Sequence, residues 1–317
     1  MMPGPALSVV IVSWNTRDLL RDCLASVAQH LAGAEHEVIV VDNASTDGSA
    51  DMVAAEFPAV RLLSNAENVG FGTANNQAMR VARGAWLMLL NSDAALADDS
   101  VAKLLRRARA HGNLGLAHCR VRFPDGRLQH TTYRFPSLRL AVLEDLGLYK
   151  LLGARAAARL LGPHFDQESE RDVDWVAGVF MLLPREVFER TGGFDERLFM
   201  YGEDLEWCRR IRDDGWRIRF FPQAEIVHHN HASSQILFGD GRAALCLERH
   251  HAFFAERHGK LVAAALMAVG LTGSALRCAW YAARARLGGR RADAYRAMQP
   301  SVTATFRTLC AIAVRRR

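Results

Sequence analysis

The stretch AWLMLLNSDA, residues 85–94, decides the fold. Six apolar residues, Ala85 to Leu90, run without a polar interruption and stop at Asn91-Ser92-Asp93. A run of that length bounded by Gly84 and by polar residues is a strand buried on both faces, as strands of parallel sheets are. In open α/β sheets ligands gather beyond the carboxyl ends of the strands. A buried strand that ends in a carboxylate therefore delivers Asp93 to a ligand site.

Similar apolar runs lie at Leu7–Val12, Glu37–Val41, Val60–Leu63 and Leu114–Cys119. Between them, Thr16–Leu31, Ser49–Phe57, Thr73–Ala82 and Asp99–Ala110 carry helical spacing. Strands alternating with helices predict an α/β domain with a mostly parallel, doubly wound sheet and right-handed crossovers. After residue 120 the rhythm breaks. RVRFPDGRLQHT reads as a hairpin turning at Pro124-Asp125-Gly126. Residues 137–172 read as a polar, irregular insertion or loop with one helical stretch around Leu151–Leu161. A strand is expected at Val176–Leu183, a helix on GEDLEWCRRIRDDG, and one or two strands in WRIRFFPQAEIVHH. The expected organisation is a domain over residues 1–240 followed by a basic, apolar helical extension over 241–317.

Half of the 317 residues are hydrophobic and 23% are charged, which suits a chain with a substantial core. Six cysteines occur without a C-x-x-C pair, so neither a zinc knuckle nor a disulfide framework is expected. Reduced thiols and the lack of a signal-peptide pattern in MMPGPALSVVIVSWN point to a cytoplasmic protein. Net charge is +6, unevenly spread: residues 255–317 carry twelve Lys/Arg against Glu256 and Asp293, leaving the rest mildly acidic. Leu261 to Leu276 is uncharged but short of the ~20 residues that span a bilayer. With Trp280, Tyr281 and the arginines of 284–291 it reads as a helix lying on a membrane surface, attracted by anionic lipids. A helical pair packed on the enzyme or at a homodimer interface is the alternative. Nucleic acid is not expected as a partner, because the basic residues interleave with Ala and Leu rather than with stacking aromatics.

Three strand ends are polar: Ser13-Trp14-Asn15, Asp42-Asn43 and Asn91-Ser92-Asp93. No G-x-G-x-x-G follows the first strand, so a dinucleotide gripped in the Rossmann manner is not expected. A hard divalent cation reconciles these carboxylates with a phosphate-bearing ligand. An Asp after a strand is ordinarily a turn former or helix cap. Here Asp98 and Asp99 are better placed than Asp93 to cap the next helix, and Ser45 and Asp47 serve the helix after Asp42. In ENVGFGTANN, Gly70 and Gly72 flank Phe71 before a helix, either as a plain turn or as amides presented to an anion.

With those positions identified, the stretches VVIVSWN, VIVVDNASTDGS, NVGFGTANNQAM, LLNSDA, RFPS, DWVAGVFMLLPREVFERTGGFDERLFMYGEDLEWCRRIRDDGW and AEIVHHNHASS resemble family 2 glycosyltransferases. The likeness is greatest to their bacterial rhamnosyltransferase-like branch and covers roughly residues 7–235. The resemblance implies a GT-A fold, a nucleotide-sugar donor, Mg²⁺ or Mn²⁺, and inversion at the anomeric carbon. It places Ser13, Asn15, Asp42, Asn68, Gly70, Asn91 and Ser92 on the donor side, with Asp42 on the base. Asp93 matches the last acid of the D-x-D metal motif, whose first acid is Asn91 here. His228 completes the metal shell, with His229 and His231 as near neighbours. A strand histidine, or a zinc site made by the three, are the other readings of that cluster.

Asp204 matches the general base, with Glu203 beside it, and Trp175 and Gly178 fall on the acceptor side. The helix dipole favours the Asp204 carboxylate, whereas nearby Trp175, Phe199 and Trp207 desolvate it, and the sequence leaves open which effect wins. The activity implied is transfer of a sugar, L-rhamnose from dTDP-rhamnose, to a lipid-linked or saccharide acceptor in cell-envelope glycan synthesis. It would occur at the inner face of the cytoplasmic membrane. A UDP-hexose or UDP-galactofuranose donor, or a non-catalytic nucleotide-sugar binding scaffold, are the competing readings. A nucleotidyltransferase is disfavoured because SWNTRD offers no Gly-rich basic loop.

Overall fold

A computed structural model describes residues 5–153, 156–157, 160–161, 167–229, 242–287 and 292–315. Contacts divide the chain into two units, one of Met1–Phe135 with Phe165–Leu237, the other of Pro136–His164 with Phe238–Arg317.

The first unit opens with the expected alternation: β1 (Leu7–Ser13), α1 (Arg17–His30), β2 (His36–Asp42), α2 (Ser49–Glu56), β3 (Arg61–Ser64), α3 (Phe71–Val81) and β4 (Trp86–Asn91). It continues through β5 (Ala94–Leu96), α4 (Ser100–Arg109), β6 (Leu114–Arg122), β7 (Leu128–Gln129) and β8 (Thr132–Tyr133). After the excursion into the second unit come β9 (Arg171–Asp172), β10 (Trp175–Val176), β11 (Phe180–Pro184), α6 (Arg185–Thr191), α7 (Glu203–Asp213) and β12 (Arg217–His228). Among the described residues the main sheet runs β3-β2-β1-β4-β11-β6-β12-β5, with β7 on β6 and β9 on β12. β1, β2, β3 and β4 are mutually parallel, and β12 is parallel to β6. β11 lies antiparallel between β4 and β6, so the sheet is mixed at its centre.

Periodicity explains the core. α1 buries Leu20, Cys23, Leu24 and Val27, and α4 buries Val101, Leu104, Leu105 and Ala108, each one stripe of a 3.6-residue helix. These stripes join Val9 and Ile11 of β1 and Leu90 of β4 in one apolar cluster. Val10, Leu87 and Leu89 are equally buried on the other side of the pleat, and α3 packs there on β1 and β2. Burial on both faces accounts for the uninterrupted apolar runs.

Three expectations change. The strand expected at Val176–Leu183 is two strands, parted at Ala177-Gly178-Val179, where the Gly178 amide leaves the ladder to bond Asp204. β5 was not anticipated; it is a three-residue strand that crosses to the far edge of the sheet and pairs antiparallel with β12. Within residues 137–172, α5 (Leu138–Asp145) and a 3₁₀ turn at Leu148–Leu151 replace irregular chain. Ser137 caps α5, its hydroxyl accepting the Leu140 amide at 3.3 Å. Within WRIRFFPQAEIVHH, Arg217–His228 forms one strand, with register shifts between Arg217 and Ile218 and between Phe221 and Glu225.

In the second unit α5 packs on α8 (Arg242–Leu287), which in turn packs on α9 (Ala292–Arg315). α8 is broken at Gly259, whose φ of 81° and ψ of 164° leave the helical region. Arg277 donates to the Asp145 carbonyl at 2.9 Å, holding the C-terminal end of α5, and Met267, Leu309 and Ile312 form a small core. Leu276, Trp280 and Leu287 are exposed, and the Arg284 guanidinium stands over the rings of Trp280 and Tyr295. Ala244–Leu287 is long and apolar enough to cross a membrane by length and composition. All six cysteines are free thiols.

Candidate active site

The carboxyl ends of β1, β2 and β4 lie side by side, with Ser13 in register with Asp42 and Val12 with Asn91. Asp42 accepts the Ser45 amide on Oδ2 at 3.0 Å, while its Oδ1 is buried without a hydrogen-bond partner. A buried carboxylate oxygen left unsatisfied costs stability unless a ligand donor completes it. Asn43, next along, organises the neighbouring loop. Its Nδ2 donates to Asn68 Oδ1 at 2.8 Å, and its Oδ1 accepts from Asn65 Nδ2 and from the Val69 amide.

Thr16 occupies the N-cap of α1 but its side chain makes no capping bond; Asp47 accepts the Arg17 amide instead. The Thr16 hydroxyl donates to Ser92 at 2.8 Å and lies 3.0 Å from the Ser13 hydroxyl. A residue type favoured for capping is thus diverted into tying the end of β1 to the end of β4.

β5 explains how Asp93 reaches its partner. Pairing of Ala94 with His228 places Asp93 at the end of β12, and the His229 amide donates to the Asp93 carbonyl at 2.9 Å. His228 Nε2 then stands 3.1 Å from Asp93 Oδ1, both side chains nearly excluded from solvent. Its Nδ1 lies 2.9 Å from Gln129 Oε1, and Asn91 Nδ2 approaches Nε2 at 3.4 Å. The Asn91 carboxamide oxygen is buried and unpartnered. Among the described residues no group of three His, Cys, Asp or Glu forms a metal cluster. One carboxylate, one imidazole nitrogen and a nearby carboxamide oxygen suit Mg²⁺ or Mn²⁺ that takes its remaining ligands from a substrate's phosphates. His229 adjoins this pair through its backbone, and His231 lies outside the described residues.

A cavity of about 510 Å³ gathers these groups, lined by Asn43, Asn68, Asn91, Ser92, Asp93 and His228 together with Gly178, Glu203 and Asp204. Asp204 stands in the first turn of α7, accepting the Leu205 amide at 2.8 Å and the Gly178 amide at 3.2 Å. Burial pushes its carboxyl up from 3.8 to about 6, against the lowering effect of those amides. Desolvation therefore wins the contest that the sequence leaves open.

Five of the positions named from sequence are not on the cavity wall. Ser13 and Asp42 are buried at the strand ends, next to the cavity-lining Trp14 and Asn43. The Asn15 side chain is used within the protein, accepting the Thr46 amide at 2.8 Å. At Gly70, φ 88°, a Cβ would stand 2.5 Å from the Phe199 carbonyl, which itself accepts the Phe71 amide. The amides of Gly70 and Phe71 are therefore engaged internally, the former by Asn68 Oδ1. Trp175 is buried, donates to the Arg134 carbonyl and stacks at 4.2 Å on Tyr133, and it is Tyr133 that reaches the cavity.

The β6–β7 hairpin and the chain after it supply a wall that sequence reasoning missed: Phe123, Leu128, Gln129, Thr131 and Tyr133. The turn itself falls where expected, closed by Gly126 donating to Phe123, but two-residue strands carry too little periodicity to reveal which side chains face a ligand.

Comparison with known proteins agrees with this architecture. The description Glycosyl transferase family 2 matches residues 8–191, and that of the N-terminal domain of galactosyltransferase matches residues 166–232. The N-acetylglucosaminyl-diphospho-decaprenol L-rhamnosyltransferase of Mycobacterium tuberculosis (strain ATCC 25618 / H37Rv) is 33% identical over 273 residues, covering 80% of this chain and 85% of that protein. Rhamnosyltransferase WbbL of Escherichia coli (strain K12) is 26% identical over 238 residues, covering 73% and 86%. Among solved structures, a mannosyltransferase from Pyrobaculum calidifontis in complex with GDP-Man and Mn²⁺ superposes with a TM-score of 0.61 at 23% identity, covering 99% of this chain and 87% of that one. The shared fold is that of GT-A glycosyltransferases. With a family match over more than half its length and a relative one-third identical across most of both sequences, the chain belongs to glycosyltransferase family 2.

Proposed function

We propose that the protein transfers L-rhamnose from dTDP-rhamnose to a lipid-linked saccharide acceptor, with inversion at the anomeric carbon. The observation that carries the chemistry is the presence of Asp93, held against His228, and of Asp204 on the wall of one cavity. The choice of sugar and acceptor is supported by the relatives named above, one of which acts on an N-acetylglucosaminyl-diphospho-decaprenol.

In this reading the Asp42 carboxylate accepts from the nucleotide base, and Asn43 and Asn68 hold the loop beside it. Asp93 and His228 would hold Mg²⁺ or Mn²⁺, which would supply Lewis-acid stabilisation of the charge on the departing diphosphate. Asp204 takes the proton of the acceptor hydroxyl as its oxygen attacks C1 from the face opposite the leaving group. The glycosidic bond forms, the bond from C1 to the diphosphate oxygen breaks, and the proton stays on Asp204. A base held near 6 suits this role, being ionised at neutral pH yet more basic than an ordinary Asp. Glu203 lines the cavity beside it and completes the polar end of the acceptor side, with Gly178 giving close approach.

Residues 255–317 place the enzyme on the cytoplasmic leaflet, where a lipid-linked acceptor resides. Their net charge of +10 and the exposed Trp280, Leu276 and Leu287 supply electrostatic and apolar attraction. The test is a transfer assay with dTDP-rhamnose and an N-acetylglucosaminyl-diphospho-polyprenol, alongside UDP-hexose and UDP-galactofuranose donors. Rhamnosylated lipid of inverted anomeric configuration is expected. Transfer from only the UDP sugars would overturn the donor assignment.

A further inference from the structure

Gln129 is a residue to which neither the motifs nor the resemblance assigns a role, yet it is the partner of the histidine beside Asp93. It comes from β7, whose pairing with Val121 of β6 brings its side chain under the end of β12. Its Oε1 lies 2.9 Å from His228 Nδ1. A carboxamide oxygen only accepts, so the proton of a neutral imidazole in this contact is on Nδ1. The other side of the ring is compatible with this tautomer, because Asn91 Nδ2 is a donor and approaches Nε2 at 3.4 Å, where a lone pair would receive it. That lone pair lies 3.1 Å from a carboxylate oxygen of Asp93, in surroundings nearly closed to water. Two lone pairs aimed at one point are reconciled by a positive charge between them, either a proton, which makes the contact an imidazolium–carboxylate pair, or a metal cation that takes the proton's place.

We propose that Gln129 is a positioning residue that fixes His228 as the Nδ1–H tautomer and so presents Nε2, with Asp93, to a divalent cation. The inference rests on the cation reading made above and adds to it the device that prepares the ligand. Histidines that bind metals commonly donate their second N–H to a fixed oxygen, which sets the ring orientation and raises its basicity. Losing such an acceptor typically weakens metal binding about 10- to 100-fold. A purely structural Gln129 would alter the melting temperature and leave cation affinity where it was.

The experiment is a Mn²⁺ titration of the full chain followed by electron paramagnetic resonance, with Mn²⁺ alone and with UDP or dTDP added. It compares the unsubstituted protein with Gln129→Leu and Gln129→Glu. The expected result is a Mn²⁺ affinity about 10-fold or more weaker in Gln129→Leu, and equal or tighter in Gln129→Glu, where a carboxylate can only accept. Equal affinity in the unsubstituted and Leu proteins would overturn the role of Gln129 while leaving the cation site standing. Loss of binding in a folded Gln129→Glu would overturn it too, because it would mean that Gln129 acts as a donor. Failure of the unsubstituted protein to bind Mn²⁺ under all three conditions would overturn the cation reading and this inference together.

Discussion

Gly178 donates its amide to the Asp204 carboxylate at 3.2 Å from a position where a Cβ would crowd the Phe71 ring. A Cβ there would stand 3.0 Å from Cε1 and 3.3 Å from Cζ of Phe71, with Asp204 Cβ at 3.9 Å on another side. The glycine therefore lets the break between β10 and β11 approach both the ring and the acid.

Gly178→Ala is expected to lower kcat about 10- to 100-fold, because displacing a reacting group by a fraction of an ångström to 1 Å has effects of that order. Donor affinity should change less than kcat, because Asp93 and His228 do not touch Gly178. Steady-state kinetics with a calorimetric donor titration would check both.

The raised Asp204 carboxyl predicts a pH dependence. In the proposed role Asp204 acts in its ionised form, so the rate should rise with pH through about 6 and then level off. Stability runs the other way. Unfolded Asp204 loses its proton near 3.8 and folded Asp204 near 6, so raising pH between those values favours the unfolded chain. Asp204→Asn lacks that titration, and its melting temperature relative to the parent should climb from pH 4 to 6.5 by an amount equivalent to at most about 3 kcal/mol. A difference that stays flat across this range would contradict the assignment.

Thr16 joins the ends of β1 and β4 through Ser92 and Ser13 rather than capping α1. Thr16→Val should cost about 1–3 kcal/mol, measured by denaturant unfolding, and should weaken donor binding as Ser92 loses its anchor. Thr16→Ser, which retains the hydroxyl, should recover most of both.

The proposed membrane attraction of residues 255–317 predicts binding to vesicles that contain anionic lipid, weakening as salt is added. Replacing Arg284 and Arg286 with alanine should lower vesicle affinity by about 2 kcal/mol in flotation assays, at roughly 1 kcal/mol for each charge. Neutral vesicles should bind both forms weakly and alike.

The parts of this molecule legible in the sequence are those specified by local pattern. Ala85–Leu90 announces β4 because a strand covered on both sides needs no polar face, and the stripe Leu20, Cys23, Leu24, Val27 announces α1. What was hidden depends on contacts distant along the chain. The resemblance pairs Asp93 with His228, but the means of their meeting is the three-residue β5, whose pairing with β12 no window of sequence contains. Gln129 was hidden because a two-residue strand has no readable period. α5 was missed because its side chains lie half-exposed, without the strong apolar stripe that marks α1. The direction in which Asp204 shifts was undecidable from residue types, since it depends on how completely packing excludes water from the carboxylate.

The most direct measurement of the central claim compares transfer and donor binding in Asp204→Asn. Asn keeps the size of the side chain and cannot accept the acceptor's proton. The account predicts transfer reduced by at least about 10²-fold, the lower range for loss of a general base, with calorimetric donor affinity in the presence of Mn²⁺ within a few-fold of the parent. Undiminished transfer by Asp204→Asn would contradict it.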